Sequence, residues 1–345
     1  MAPRVVTFGE IMLRLSPPGR QRFGQARSFD ALYGGGESNV AVSLANLGLP
    51  AEFVTCLPDN DLGNACLQYL RQYGVEIKHI LRGGERLGIY FLENGASQRG
   101  SKVIYDRAGS GFSNIQPGMI NWQEIFQDAT WFHWTGITPA VSESAAAACL
   151  EAVMEARRLG LTISCDLNYR AKLWKWGKTA GDVMSSLVEL CDLVVANEED
   201  AEKVFGITAL NTNITSGDVK AEKYRIVCEQ LAKHFIRLKT IAITLRSSLS
   251  ASHNTWSAAL WQDDRYYSAS TYDIPDIVDR VGAGDSFAAG LIFKLSRAEA
   301  DLQAALEFAT AASALKHSIP GDFNLASLNE IEALVAGNAS GRVNR

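Results

Sequence analysis

Residues 279–290 read DRVGAGDSFAAG, placing two glycines and one alanine ahead of an aspartate at the mouth of an apolar helix. Glycine lets the backbone take positive φ and leaves its N–H groups uncovered, so such a turn can wrap an anion. At a helix N-terminus the amides of Gly282, Ala283 and Gly284 would point at a transferring phosphoryl group. Asp285 would then be repelled by that anion, unless its task is to take a proton from a hydroxyl attacking the phosphorus. The competing reading is a helix N-cap, and local spacing does not separate the two.

Other polar groups follow apolar runs. Asp166, Asn168 and Arg170, in DLNYR, come directly after a strand-like segment and can converge on one ligand there; the alternative is a turn with a surface arginine. Asn197 and Asp200, in NEED, carry oxygens able to hold Mg²⁺ through waters, or they begin a helix with an acidic first turn. GGGESN at 34–39 permits close backbone approach at Gly35, and Asn39 offers a donor and an acceptor to sugar hydroxyls; a flexible hinge is the alternative. Tyr105 and Arg107 share one face of a strand, with Tyr90 on a neighbouring one, either as a binding surface or as an ordinary amphipathic sheet. Two nucleotide signatures fail. Phe287 stands where a dinucleotide fingerprint needs its last glycine, and Lys172 stands where a P-loop ending at Gly177-Lys178-Thr179 needs its first.

The elements that must position these residues can be read from periodicity. Residues 4–10 form a short β-branched run, while 11–35 are broken by Pro17, Pro18, Gly19 and Gly24. Helical spacing returns over 38–48 and stops at Gly48. Strand-like pieces at 88–92 and 102–105 flank a polar loop, so 11–35 and 87–111 are expected to build a small β-sheet lid. From about 129 a βα rhythm sets in: Ala146, Cys149, Leu150, Val153 and Met154 share a helical face, and apolar strands are expected at 161–165, 192–196 and 240–245. That pattern predicts one α/β domain over 1–345, a doubly wound, mainly parallel sheet with helices on both faces.

A chain of 345 residues with 47% hydrophobic and 21% charged residues can bury a large core. Its formal net charge of −5 and lack of a basic run argue against nucleic-acid binding and favour a small-molecule substrate. Six cysteines without a Cys-x-x-Cys pair, and a start with no long apolar segment, predict reduced thiols and a cytoplasmic protein, and no run is apolar enough for a membrane span.

GGGESN, the irregular lid, NEED and DRVGAGDSFAAG together resemble the ribokinase-like (PfkB) family of carbohydrate kinases, over essentially the whole chain. DLNYRAKLW at 166–174, HSIPGDF at 317–323 and SGRVNR at 340–345 resemble its 2-keto-3-deoxygluconate kinase branch. The resemblance implies transfer of the ATP γ-phosphoryl group to the C6 hydroxyl of 2-dehydro-3-deoxygluconate, with Mg²⁺. It implies Asp285 as general base, Gly282, Ala283 and Gly284 as anion hole, and Asn197 with Asp200 in the metal and phosphate network. Gly35, Asn39, Tyr90, Tyr105, Arg107 and Arg170 match the sugar-acid pocket, Thr244 begins the nucleotide segment, and pairing of two copies through the lid is implied. Three departures stand out: Asp200 replaces a glutamate, Arg280 replaces a small residue, and residues 244–248 lack a glycine. A fructokinase or a 5-dehydro-2-deoxygluconokinase would share the same base, a non-catalytic sensor would keep the pocket without turnover, and an NAD(P)-dependent oxidoreductase is disfavoured by the broken fingerprints.

Overall fold

The computed structural model describes residues 3–197, 199–208, 219–297 and 300–338. Glu198 and the closing SGRVNR stretch lie outside the described residues. The strands are β1 (Val5–Phe8), β2 (Met12–Ser16), β3 (Asp30–Gly34), β4 (Ala51–Val54), β5 (Cys56–Leu57), β6 (Leu81–Arg82), β7 (Ile89–Glu93), β8 (Lys102–Asp106), β9 (Trp131–Thr135), β10 (Thr162–Asp166), β11 (Leu193–Asn197), β12 (Thr240–Ser248), β13 (Asn254–Gln262), β14 (Arg265–Ser268) and β15 (Tyr272–Ile274). The helices are α1 (Gly36–Asn46), α2 (Asp61–Gln72), α3 (Trp122–Phe126), α4 (Ile137–Val141), α5 (Glu143–Arg158), α6 (Ala180–Val188), α7 (Asp200–Phe205), α8 (Val219–His234), α9 (Ala283–Leu295), α10 (Leu302–Lys316) and α11 (Leu328–Val335).

A nine-stranded sheet runs in the order β14-β13-β12-β11-β10-β9-β1-β4, with β15 also on β13. The six strands from β12 to β4 are parallel. Alternate side chains feed two cores. Val6, Phe8, Phe132, Trp134, Val194 and Ile241 meet α5, α6 and α8 on one face, while Val5, Trp131, Val195 and Ala242 meet α1, α9 and α10 on the other. Burial on both faces explains why these strands read as continuous apolar runs rather than as alternating ones.

The antiparallel edge of β13, β14 and β15 is an addition to the expected parallel pattern. Asp263 and Asp264, with φ of 50° and 59°, make the two-residue turn between β13 and β14, a geometry whose twist suits a hairpin. A smaller four-stranded sheet, in the order β3-β2-β7-β8, is assembled from strands within residues 11–35 and 87–111. Its Met12, Tyr90 and Leu92 pack with Val103, Tyr105 and Val281, which joins this sheet to the glycine turn.

Candidate active site

The carboxyl ends of β10, β11 and β12 and the N-terminus of α9 surround a cavity of about 420 Å³. Asp166 and Asn197 end β10 and β11, and Thr244 lies beside Asn197 in the middle of β12; Gly35, Gly36 and Asn39 come from the start of α1, Tyr90 and Tyr105 from the small sheet, and Gly282–Asp285 from the glycine turn. The topology thus brings together groups that sit up to 250 positions apart (Gly35 to Asp285, 285 − 35).

Gly282 holds the N-cap position of α9 with φ 85°, and no side chain caps the helix. Asp285 is therefore the third helical residue, not the cap. A Cβ on Gly282 would lie 1.9 Å from the Asp322 carbonyl oxygen, so the turn needs glycine for both its handedness and its packing. Among the described residues the amides of Gly282 and Gly284 meet no protein acceptor, and the Ala283 amide leans on the Arg280 carbonyl at 3.4 Å. Amides left open at a helix N-terminus are able to cradle an anion.

The Asp285 carboxyl is buried and takes a hydrogen bond of 2.6 Å from Asn39 Nδ2, while Asn39 Oδ1 accepts the Gly35 amide at 3.2 Å. The first helix therefore fixes the carboxylate's orientation, and α1 starts inside the glycine run, with Gly35 as its N-cap. Burial pushes the Asp285 carboxyl up to about 6, with Asp322 adding to the rise and the Asn39 bond, Arg170 and Lys316 opposing it. Asp166 is pushed well above its ordinary range by burial and then by Asp200 and Asp285.

Asn197 and Asp200 hold each other reciprocally: Asn197 Oδ1 accepts the Asp200 amide at 3.1 Å, and Asp200 Oδ2 accepts the Asn197 amide at 3.0 Å. Both still line the cavity. Among the described residues no three His, Cys, Asp or Glu side chains form a direct metal cage. The donor set of two mutually repelling carboxylates, Asp166 and Asp200, with the Asn197 amide alongside, fits a cation that keeps its waters. Asn168, at φ 40°, lies between Asp166 and Arg170 in a left-handed conformation that asparagine tolerates, and all three reach the cavity.

Two predicted site residues have unexpected partners. Arg107 is buried against Glu10, donating from Nε to Oε2 at 2.7 Å, and it is not among the cavity-lining residues. Its charge is neutralised by a carboxylate 97 positions away, a pairing that period-2 spacing could not reveal. Tyr90 lines the cavity, and its hydroxyl donates to the Asp322 carboxylate at 2.6 Å. Arg170, by contrast, is exposed at the cavity mouth, with its guanidinium donating to its neighbour's carbonyl, Tyr169 O, at 3.0 Å. Arg280 also lines the cavity; it donates to the Ala251 carbonyl at 2.7 Å, and its proton affinity is lowered by burial and by nearby Arg246.

Sequence reasoning missed Arg14. It is buried in β2 and donates to Asp322 at 2.7 Å and to Asp279 at 2.5 Å, with Ser16 taking its Nε–H at 2.9 Å. The partners are 265 and 308 positions away, so no local pattern marks it. Asp322 was visible as part of HSIPGDF without a role. It packs so closely on Gly34 that a Cβ there would lie 2.1 Å from its carboxylate.

The comparisons with known proteins agree with this architecture. The model of the pfkB family of carbohydrate kinases matches residues 2–324. A curated 2-dehydro-3-deoxygalactonokinase of Haloferax volcanii is 32% identical over 99% of each chain. A 2-dehydro-3-deoxygluconokinase of Thermoproteus tenax is 27% identical, covering 96% of this chain and 94% of the relative. Among solved structures, the crystal structure of a 2-dehydro-3-deoxygluconokinase from Thermotoga maritima aligns with a TM-score of 0.90 and 48% identity, covering 97% of this chain and 100% of that one. With a ribokinase-like α/β fold, a family match over nearly its full length and relatives of this kind, the chain belongs to the pfkB family of carbohydrate kinases and is a phosphotransferase acting on a sugar hydroxyl.

Proposed function

We propose that the protein phosphorylates 2-dehydro-3-deoxy-D-gluconate at its C6 hydroxyl with Mg·ATP, giving 2-dehydro-3-deoxy-6-phosphogluconate and ADP. One observation carries the reading: a buried carboxylate, Asp285, oriented by Asn39, stands beside the bare amides of a glycine turn within the same cavity as Arg170. In this account the C6 hydroxyl donates its proton to Asp285 as its oxygen bonds to the γ-phosphorus and the bond to the ADP oxygen breaks. The amides of Gly282, Ala283 and Gly284 stabilise charge on the phosphoryl oxygens, and the approaching phosphate raises the proton affinity of Asp285 further. Positioning and electrostatics supply most of what such a transfer needs. Mg²⁺, when bound, would neutralise phosphate charge near Asn197 and Asp200. Thr244, Arg246 and Arg280 also line the cavity, where the two arginines suit a polyphosphate.

The substrate class rests on Arg170 and on the names of the relatives. A sugar acid offers a carboxylate that rewards a planar guanidinium, and Arg170 lacks the carboxylate partner that occupies Arg107. The Haloferax relative favours a second reading, the galacto epimer of the same acid. An ADP-release assay with Mg·ATP and a panel of both 2-dehydro-3-deoxy acids, 5-dehydro-2-deoxygluconate and fructose tests the proposal. Turnover of a 2-dehydro-3-deoxy acid well above the others supports it; preference for fructose or for 5-dehydro-2-deoxygluconate contradicts it.

A further inference from the structure

Lys316, the last residue of α10, is fully buried, a rare place for an ammonium. Its Nζ donates to two main-chain carbonyls, Ile319 at 3.0 Å and Asp279 at 3.4 Å, and among the described residues it forms no ion pair with a carboxylate. Asp279 is the hub beneath the glycine turn. Its carboxylate accepts Arg14 Nη2 and the amides of Val281 and Gly321, the latter two each at 3.1 Å, while its carbonyl accepts Lys316. The amides of Val278 and Asp279 return to the His317 carbonyl at 2.9 and 3.2 Å. Segment 316–322 therefore grips the turn from below, and Gly282 rests directly on Asp322.

We propose that Lys316 is the fold's built-in counter-cation for this turn: a positioning residue that fixes the amides of Gly282–Gly284 and offsets the carboxylates gathered behind them. This rests on the kinase reading above. Three carboxylates, Asp279, Asp285 and Asp322, face two buried cations, Arg14 and Lys316, so one negative charge is left in excess, while Arg170 and Asp166 face Asp285 from β10 and its following loop. Lys316 acts on Asp285 through this charge balance and through Asp279, without touching the reacting groups. The ammonium sits among carbonyl oxygens as a small free cation would, so cutting it back to alanine should open a site that an added amine can fill.

The test compares the parent protein with Lys316→Ala and Lys316→Gln, using whichever sugar or sugar acid the parent turns over fastest, with thermal melting as the check on folding. Both variants should lose about tenfold or more in kcat, with little change in KM for the sugar. The acid limb of their pH profiles should move to higher pH. Millimolar ammonium or methylammonium should restore much of the rate of Lys316→Ala, whereas tetramethylammonium should not. The parent itself should be indifferent to exchange of sodium for potassium or ammonium at constant ionic strength. If Lys316→Gln keeps the parental kcat and acid limb, the lysine is only a helix-end hydrogen-bond donor and the proposal fails. Loss of rate that follows loss of folding, with no amine rescue, also overturns it. So does several-fold activation of the parent by potassium, which needs no variant to be folded. A parent inactive on every sugar tested would defeat the kinase reading instead, an outcome distinct from these.

Discussion

Asp285 shows how a residue can be poorly suited to stability and well suited to chemistry. Its carboxyl lies at about 6 in the folded protein, above the ordinary value of 3.8. The folded state thus holds more protons than the unfolded chain between these values, and stability falls as pH rises through that window. Asp285→Asn removes the ionisation, so its melting temperature should rise relative to the parent above about pH 6, with the difference disappearing below about pH 4. Melting scans of both proteins across that range check the sign; a variant less stable at pH 8 would contradict it. Arg170 is expected to act on substrate binding: Arg170→Ala should raise KM for a sugar acid by roughly tenfold or more, the scale of a lost charge-assisted hydrogen bond, while KM for ATP changes little. Equal losses for both substrates, measured by varying each in turn, would remove Arg170 from the acid-binding role. At this scale the sequence was informative where chemistry and geometry share a local signature, as in GAGD, and silent where they do not. Arg107 looked like a free ligand because its partner Glu10 comes from another segment.

At the scale of elements, one buried arginine ties the small sheet to the loops beside α9 and α10. Arg14 joins β2 of the small sheet to the loops carrying Asp279 and Asp322, and Tyr90 of β7 adds a hydroxyl to the same carboxylate. Removing one partner of a buried ion pair leaves charge uncompensated, at a cost of about 3–5 kcal/mol. Arg14→Met should therefore lower stability by that order in denaturant titrations, whereas loss of an exposed pair such as Arg20 with Asp276 should be worth less than about 1 kcal/mol. Equal small effects would mean that the clamp contributes nothing. Most elements were legible beforehand, because a parallel sheet buried on both faces leaves apolar runs with helical spacing between them. The β13–β14 hairpin was not anticipated, although its Asp-Asp turn lay in plain sequence. The pairing of the small sheet's strands could not be read from periodicity, since β2 joins β7 across more than seventy intervening residues (89 − 16).

For the whole molecule, the parallel sheet supplies a common edge, the small sheet covers it, and the N-termini of α1 and α9 bring Asn39 and Asp285 together from opposite ends of the chain. The family match spans nearly all of this architecture, and among the described residues no helix is long and apolar enough to cross a membrane. Fold and family were readable because several motifs occurred in the right order; the ion network behind the turn was not, because it depends on contacts that only the closed fold creates. The central claim is that Asp285 accepts the sugar hydroxyl's proton. Steady-state ADP release by Asp285→Asn, with Mg·ATP and a 2-dehydro-3-deoxy sugar acid, tests it most directly. The account predicts that kcat falls by about 10² or more while the variant remains folded and ATP binding is nearly unchanged; turnover close to that of the parent would show that Asp285 is not the base.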